Sequence, residues 1–541
     1  MAFRRLACAS SPERSHHRGC RTPKAAHGPI HPLGARLLDH REQGHRCRRR
    51  RHGHRGDPPA PHDLHPAPGW YEQNPWQWWE ASADALAAVA AMLSSDDEVL
   101  ALALTNQRET FACLDASGAP LRPALLWLDA RATDQIARLG SARVHRLTGK
   151  PPSSAPSSYK LAWLAENEPE TLARARTVTD VQGFLALRLT GERRTSSASA
   201  DSTGLLDIVS GAWDLGLARD VMLDPELLPE LAAPGDVLGL VSRDAATRTS
   251  LPVGLPVVAG LGDGQAGMVG TGALQDGRAA LNAGTSFALG IATGRYSWDP
   301  SYRTFAGPVH SSYVLESLTA AGGLSLAWFR EHVARGASID QVERAASEVP
   351  AVRHGALFLP YLTGTDSPRR DPLARGAFVG LGTEHGVGAM YRAVVEGLAL
   401  EQRRGLARLE EAIGHGVEEV VMTGGLAQSP LVVQTVADAL GRPVSVARER
   451  ESTALGAAVV AAAGPPVGLY PNLADAVGAM TGTRSTVEPD PATRTLYDEA
   501  AAVHAELRPA LAPLGAALSR LRGRGGAQEP SGVHPPVAQI P

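Results

Sequence analysis

A chain of 541 residues with 43% hydrophobic content is long enough for two large domains, each with its own core. It holds no run of eighteen apolar residues, which argues against a membrane span. The formal charge of −3 hides an asymmetry, because residues 1–66 carry 14 Lys and Arg against 5 Asp and Glu while the remainder is acidic. Cys8, Cys20 and Cys47 fall in that first segment and leave Cys113 alone in the body, which argues against a disulfide framework and fits a reducing cytoplasm.

Gly44 to Arg55 reads GHRCRRRRHGHR, with neither a strand nor a helix period, so residues 1–66 are expected to be disordered. A basic arm for nucleic acid would need a binding fold that is not recognisable here. A zinc site on His16, His17, Cys20 and Cys47 lacks paired ligand spacing, and the His and Pro density does not suit a transit peptide. A further reading is that the stretch is translated out of frame, since Arg-rich codons shifted by one base can encode Val and Asp.

Beyond it, Glu80 to Met92 has helical spacing. Val99 to Leu104 is a short apolar run ending in Thr105-Asn106-Gln107-Arg108-Glu109-Thr110, and Leu125 to Asp129 repeats the pattern around Trp127. A buried strand that delivers polar groups at its end is a common layout for an α/β site. Lys160 to Glu168 and Val181 to Leu189 read as helices, and the Ser-rich Thr195 to Thr203 as a loop. Val257 to Gly260 is a strand entering Gly262-Asp263-Gly264-Gln265, and Ala280 to Asn282 another entering Gly284-Thr285-Ser286. The domain boundary is placed between these turns, near residue 275. Gly386 to Ile413 carries an apolar stripe of Val387, Met390, Val394, Leu398 and Leu406, with Thr383 available as a cap. Glu419 to Met422 leads through Gly424-Gly425 to a helix that Ser429-Pro430 starts and Gly441 closes. Thr453 to Ala463 is a further helix, and the chain after about Arg522 is expected to be disordered.

Asp263, on a strand end between glycines, can act as a general base or be a plain turn aspartate. Gly284-Thr285-Ser286 can wrap phosphate oxygens or be an ordinary turn. Gly424-Gly425 before a capped helix can present N–H groups to an anion, although it matches neither GxxxxGKS nor GxGxxG. Arg108 and Glu109 can bind vicinal hydroxyls or form a surface ion pair, and Trp127 can pack on a sugar face or in the core.

In their order along the chain, these stretches, with PGWYEQNP at 68–75, Arg375-Gly376-Ala377-Phe378, Arg392-Ala393, Glu396-Gly397 and Leu455-Gly456-Ala457-Ala458, resemble the FGGY family of carbohydrate kinases. The resemblance covers about 67–515 and implies two actin-like, ribonuclease-H-like ATPase lobes around a central cleft. It divides the chain into 1–66, a first lobe at 67–275, a second at 276–515 and a disordered tail at 516–541. It makes Asp263 the catalytic base, puts Gln107, Arg108, Glu109, Trp127 and Gln265 at the substrate, and Gly284, Thr285, Ser286, Gly323, Gly424, Gly425 and Ser429 at the nucleotide. It implies ATP and Mg2+, a sugar or polyol acceptor, a homodimer, a cytoplasmic location and no nucleic-acid or membrane partner. Ala280 to Ser286 and Lys160 to Glu168 are more similar to xylulokinases, and Thr105 to Thr110 to glycerol kinases. The family's opening Asp-x-Gly-Thr-Thr hairpin, which helps to hold phosphates and magnesium, is absent, so a catalytically impaired ligand-binding protein is an alternative. The metal ligands are not assigned from the sequence.

Overall fold

A computed structural model describes residues 3–5, 30–32, 64–365 and 371–524. Phe3–Arg5 pairs antiparallel with Ile30–Pro32; the other residues before Leu64, with the expectations of disorder, zinc and frame placed on them, lie outside the described residues, while Leu64 bridges to Glu72. So does the chain after Arg524.

The first part of the body is built on a sheet ordered Val237–Leu240, Pro256–Gly262, Leu102–Asn106. The last two strands run parallel, with Gly262 opposite Asn106, so both reach their carboxyl ends at the same place. A second sheet, ordered Glu72–Gln73, Ala124–Leu125, Phe111–Leu114, Thr177–Asp180, is antiparallel. Apolar strands here bury Leu102, Leu104, Val257 and Ala259 against Phe184 and Leu185 of the helix Val181–Thr190.

The second part holds seven strands in the order Arg303–Ala306, Tyr313–Thr319, Phe287–Thr293, Arg278–Ala283, Glu419–Thr423, Val444–Ala447, Thr483–Val487. Arg278–Ala283, Glu419–Thr423 and Val444–Ala447 are parallel, and the remaining strands pair antiparallel. Helix Val387–Ile413 lies across this sheet and buries Val394, Leu398 and Leu406. Its first residue, Val387, is exposed, and its N-cap is Gly386 with no side-chain bond, so Thr383 does not cap it. The start is held by tertiary packing of the stripe, which outweighs a missing cap.

Two helices join the halves. Asp263–Thr271 continues straight from Pro256–Gly262 and packs on Ser452–Ala463 so closely that a Cβ on Gly270 would meet the Ser452 carbonyl oxygen at 1.8 Å. Only glycine permits that approach.

The Ser-rich stretch expected as a loop is ordered as strand Arg194–Ser196, helix Ser197–Ala200 and a 3₁₀ turn Asp201–Thr203, and almost all of it is buried. Its hydroxyls bond inward, Ser196 to the Gly260 carbonyl, Ser202 to Ser199 and Thr203 to Ala200. Satisfied in this way, serines cost little to bury. Among the described residues no helix is long and apolar enough to cross a membrane.

Candidate active site

Parallel pairing of Leu102–Asn106 with Pro256–Gly262 brings Arg108 and Asp263, 155 positions apart in sequence, to one strand edge. Arg108 Nε lies 3.2 Å from Asp263 Oδ1. The same oxygen accepts the Gly264 N–H at 2.8 Å, and among the described residues nothing bonds to Oδ2. The Asp263 side chain keeps 49% of its surface, so Oδ2 is open to the cleft. Loss of water on its closed side raises the Asp263 carboxyl above its ordinary range; Arg108 pulls it back, and Glu109 and Glu316 push it up.

Arg108 is buried, with its guanidinium 4.1 Å from the centre of the Phe305 ring. Burial opposes its charge, but Glu316, Asp263 and Glu109 outweigh burial and hold the proton more firmly than usual. A Cβ on Gly264 would meet Arg108 Nη2 at 2.9 Å, so the glycine after Asp263 makes room for this cation. Glu109 has φ 58°, a left-handed conformation that is unfavourable for glutamate. Ser202 Oγ accepts its N–H at 3.1 Å, and Ser157 Oγ donates to its carbonyl at 3.1 Å, fixing the turn.

Gln265 donates to the carbonyls of Ala198 and Ala306. Its Oε1, like Arg108 Nη1, is buried without a partner among the described residues. A buried unpaired donor and acceptor on one rim are suited to a hydroxylated ligand that supplies the missing bonds. Trp127, whose backbone N–H donates to Thr110 Oγ1, leaves 40% of its surface exposed, which suits packing on an apolar ring face. Unlike Arg108 and Glu109, Gln107 makes no ion pair with the charged cluster; its amide donates to Gln73.

Across the joint, Asn282 lies opposite Thr423, so the turns Gly284–Ser286 and Gly424–Gly425 stand side by side at the carboxyl ends of adjacent parallel strands. Gly323 donates to the Gly284 carbonyl and Leu324 to that of Thr285, which closes the first turn. Gly425 faces open space, Thr285 is exposed, and Ser429 caps Pro430–Leu440 through Val432 N–H. The seven residues expected at a nucleotide are thus gathered, with backbone N–H groups at a helix start where phosphate is favoured. Among the described residues no group of three or more His, Cys, Asp or Glu can hold a metal ion.

Sequence reading missed Arg303 and Glu316, which meet Arg108 and Glu109 from the second half of the chain. The signal was present: Glu316 is the one charge in the otherwise apolar and hydroxylic strand YVLESLT.

The FGGY family of carbohydrate kinases matches through its N-terminal domain at residues 60–270 and its C-terminal domain at residues 279–464. A glycerol kinase of Alkalilimnicola ehrlichii is 32% identical, over 73% of this chain and 82% of that protein. The chain belongs to the FGGY family of carbohydrate kinases. A xylulose kinase of Lactococcus lactis is 29% identical over 75% of this FGGY kinase and 82% of its own length. The crystal structure of xylulose kinase from Rhodospirillum rubrum superposes with a TM-score of 0.78 at 30% identity, covering 84% of this chain and 93% of that one. The family places this FGGY kinase among phosphotransferases that use ATP as donor and a small sugar as acceptor, and its neighbours share the two-lobed actin-like fold.

Proposed function

We propose that this kinase transfers the γ-phosphate of ATP to a primary hydroxyl of a pentulose such as xylulose. The observation that carries this reading is Asp263, whose Oδ2 is open at a strand end while Oδ1 is tethered by Arg108 and Gly264. A carboxylate held by one oxygen can take the hydroxyl proton through the other as transfer begins. Arg108 Nη1 and Gln265 Oε1 bind sugar hydroxyls, Glu109 accepts one, Trp127 covers the sugar's apolar face, and Gln107 borders the pocket through Gln73. Gly284, Thr285, Ser286, Gly323, Gly424, Gly425 and Ser429 hold the nucleotide, whose phosphate charge Mg2+ bound to the phosphates would neutralise. The pentulose preference is supported by xylulose kinases among both the relatives and the solved neighbours. The enzyme works in the cytoplasm as a homodimer.

The test is ATP-dependent phosphorylation by the full-length protein across pentuloses, polyols and glycerol, repeated with Asp263→Asn. The expected result is highest kcat/KM on a pentulose, and a fall of about 10²–10⁴-fold in the variant with ATP affinity retained. A glycerol preference would replace the substrate assignment, and undiminished turnover in the variant would remove Asp263 from the mechanism.

A further inference from the structure

Two charged side chains of the second lobe reach the site from strands that do not end there. Arg303 begins the edge strand Arg303–Ala306, and Glu316 sits opposite it in register in the neighbouring strand Tyr313–Thr319. Glu316 is 3% exposed, next to Val314 and Leu315. A carboxylate in such a place is costly unless charge and hydrogen bonds compensate it. Its compensation is shared: Arg108 Nη2 donates to Oε2 at 3.0 Å and to Oε1 at 3.3 Å, and Arg303 Nη2 also donates to Oε1. Arg303 Nη1 in turn lies 3.4 Å from Glu109 Oε1.

The result is an alternating ladder, Asp263–Arg108–Glu316–Arg303–Glu109, crossing from one lobe to the other and back. The Phe305 ring lies under both guanidiniums, 4.1 Å from Arg108 and 5.1 Å from Arg303. Arg108 is therefore shared. Its Nε faces Asp263, and its Nη2 is drawn to Glu316. A fork-to-fork pair would occupy both oxygens of Asp263; the sharing leaves only a single-point contact on Oδ1.

We propose that Glu316 and Arg303 are positioning residues of the transfer site: Glu316 holds Arg108 off full pairing with Asp263, so that Oδ2 stays free for the hydroxyl proton, and Arg303 limits that pull. The proposal rests on Asp263 being the base. The charged groups facing Asp263 are Arg108, Glu109 and Glu316. Removing the Glu316 charge takes one carboxylate away and releases Arg108 towards Asp263, and both changes favour its ionised form. Removing Arg303 does the reverse, because Glu316 then claims Arg108 more completely and Glu109 loses its partner. Glu316 itself is held down to about 2, burial being overcome by Arg108 and Arg303, so it stays charged throughout the working range.

The test is the titration midpoint of the Asp263 carboxyl, followed by carbon-13 NMR in the full-length protein without sugar or nucleotide and assigned by difference from Asp263→Asn. Glu316→Gln should lower the midpoint by about one pH unit or more, and Arg303→Met should raise it. Glu316→Asp, which keeps the charge, should stay near wild type. Simple loosening of the cleft would admit water and lower the midpoint in both of the first two variants. Shifts of opposite sign support the ladder; shifts of the same sign, or none, overturn it. Turnover is read separately: a wild-type chain that phosphorylates no sugar yet shows the opposed shifts would overturn the kinase reading and leave the ladder standing.

Discussion

In the second lobe, the strand that ends at the Gly284–Ser286 turn lies between a hairpin partner, Phe287–Thr293, and a parallel neighbour, Glu419–Thr423. In the first lobe, the described residues supply the parallel pair Leu102–Asn106 and Pro256–Gly262 with Val237–Leu240 at one edge. Both lobes gather chemistry at the carboxyl ends of parallel strands, but with different residues. The second lobe offers glycine and hydroxyl turns whose assets are backbone N–H groups, suited to phosphate. The first offers Arg108, Glu109 and Asp263, suited to hydroxyls and their protons. On the proposed function, one strand-end geometry serves two jobs according to which side chains follow the strand.

The lobes work together only if the joint between them holds, and three substitutions there probe it. Lys150, 2% exposed, donates to Asp201 Oδ2 at 3.0 Å and to the carbonyl of Thr304 in the second lobe, while Asp201 also accepts the Ala306 N–H at 2.8 Å. Burial pushes the Lys150 ammonium down and the Asp201 carboxyl up, and each partner pulls the other back. Lys150→Met strands a buried carboxylate whose Oδ1 already lacks a partner among the described residues. Urea denaturation should show a loss of about 3–5 kcal/mol. Adding Asp201→Asn should recover part of it, and a loss below about 1 kcal/mol would show that the strut contributes little.

His145 gives a smaller, pH-dependent effect at the same joint. Its ring meets Trp298 edge-on at 5.2 Å, and burial together with Lys150 pushes it down to about 4 from an ordinary value of 6.5. Between those values the unfolded chain binds the extra proton, so this contribution is complete above pH 6.5 and is lost as pH falls towards 4. His145→Phe should remove roughly 2 kcal/mol of the wild type's stability loss between pH 7 and pH 5. Unchanged pH sensitivity, measured by thermal melts at both pH values, would place the titrating group elsewhere.

Much of this division was legible in the sequence because the site lies where apolar runs give way to polar ones. The strand before Asp263, the turn at Gly424–Gly425 and the helix from Pro430 to Leu440 between Ser429 and Gly441 were all readable from local chemistry. The buried Ser-rich stretch at 195–203 was not, since serines that bond inward and serines that face water look alike in a sequence. Nor was the meeting of Arg108 with Glu316, whose positions are 208 residues apart. A long-range ion pair has no local period; only the lone carboxylate in an apolar strand hinted at it.

The division of labour between the lobes is tested most directly by hydrogen–deuterium exchange of the full-length protein with D-xylulose alone and with a non-hydrolysable ATP analogue alone. The sugar should protect amides at 105–110, 127–131 and 263–265, and the nucleotide those at 284–286, 323–324 and 424–432. Protection of the first set by nucleotide, with the second set unchanged, would contradict the account.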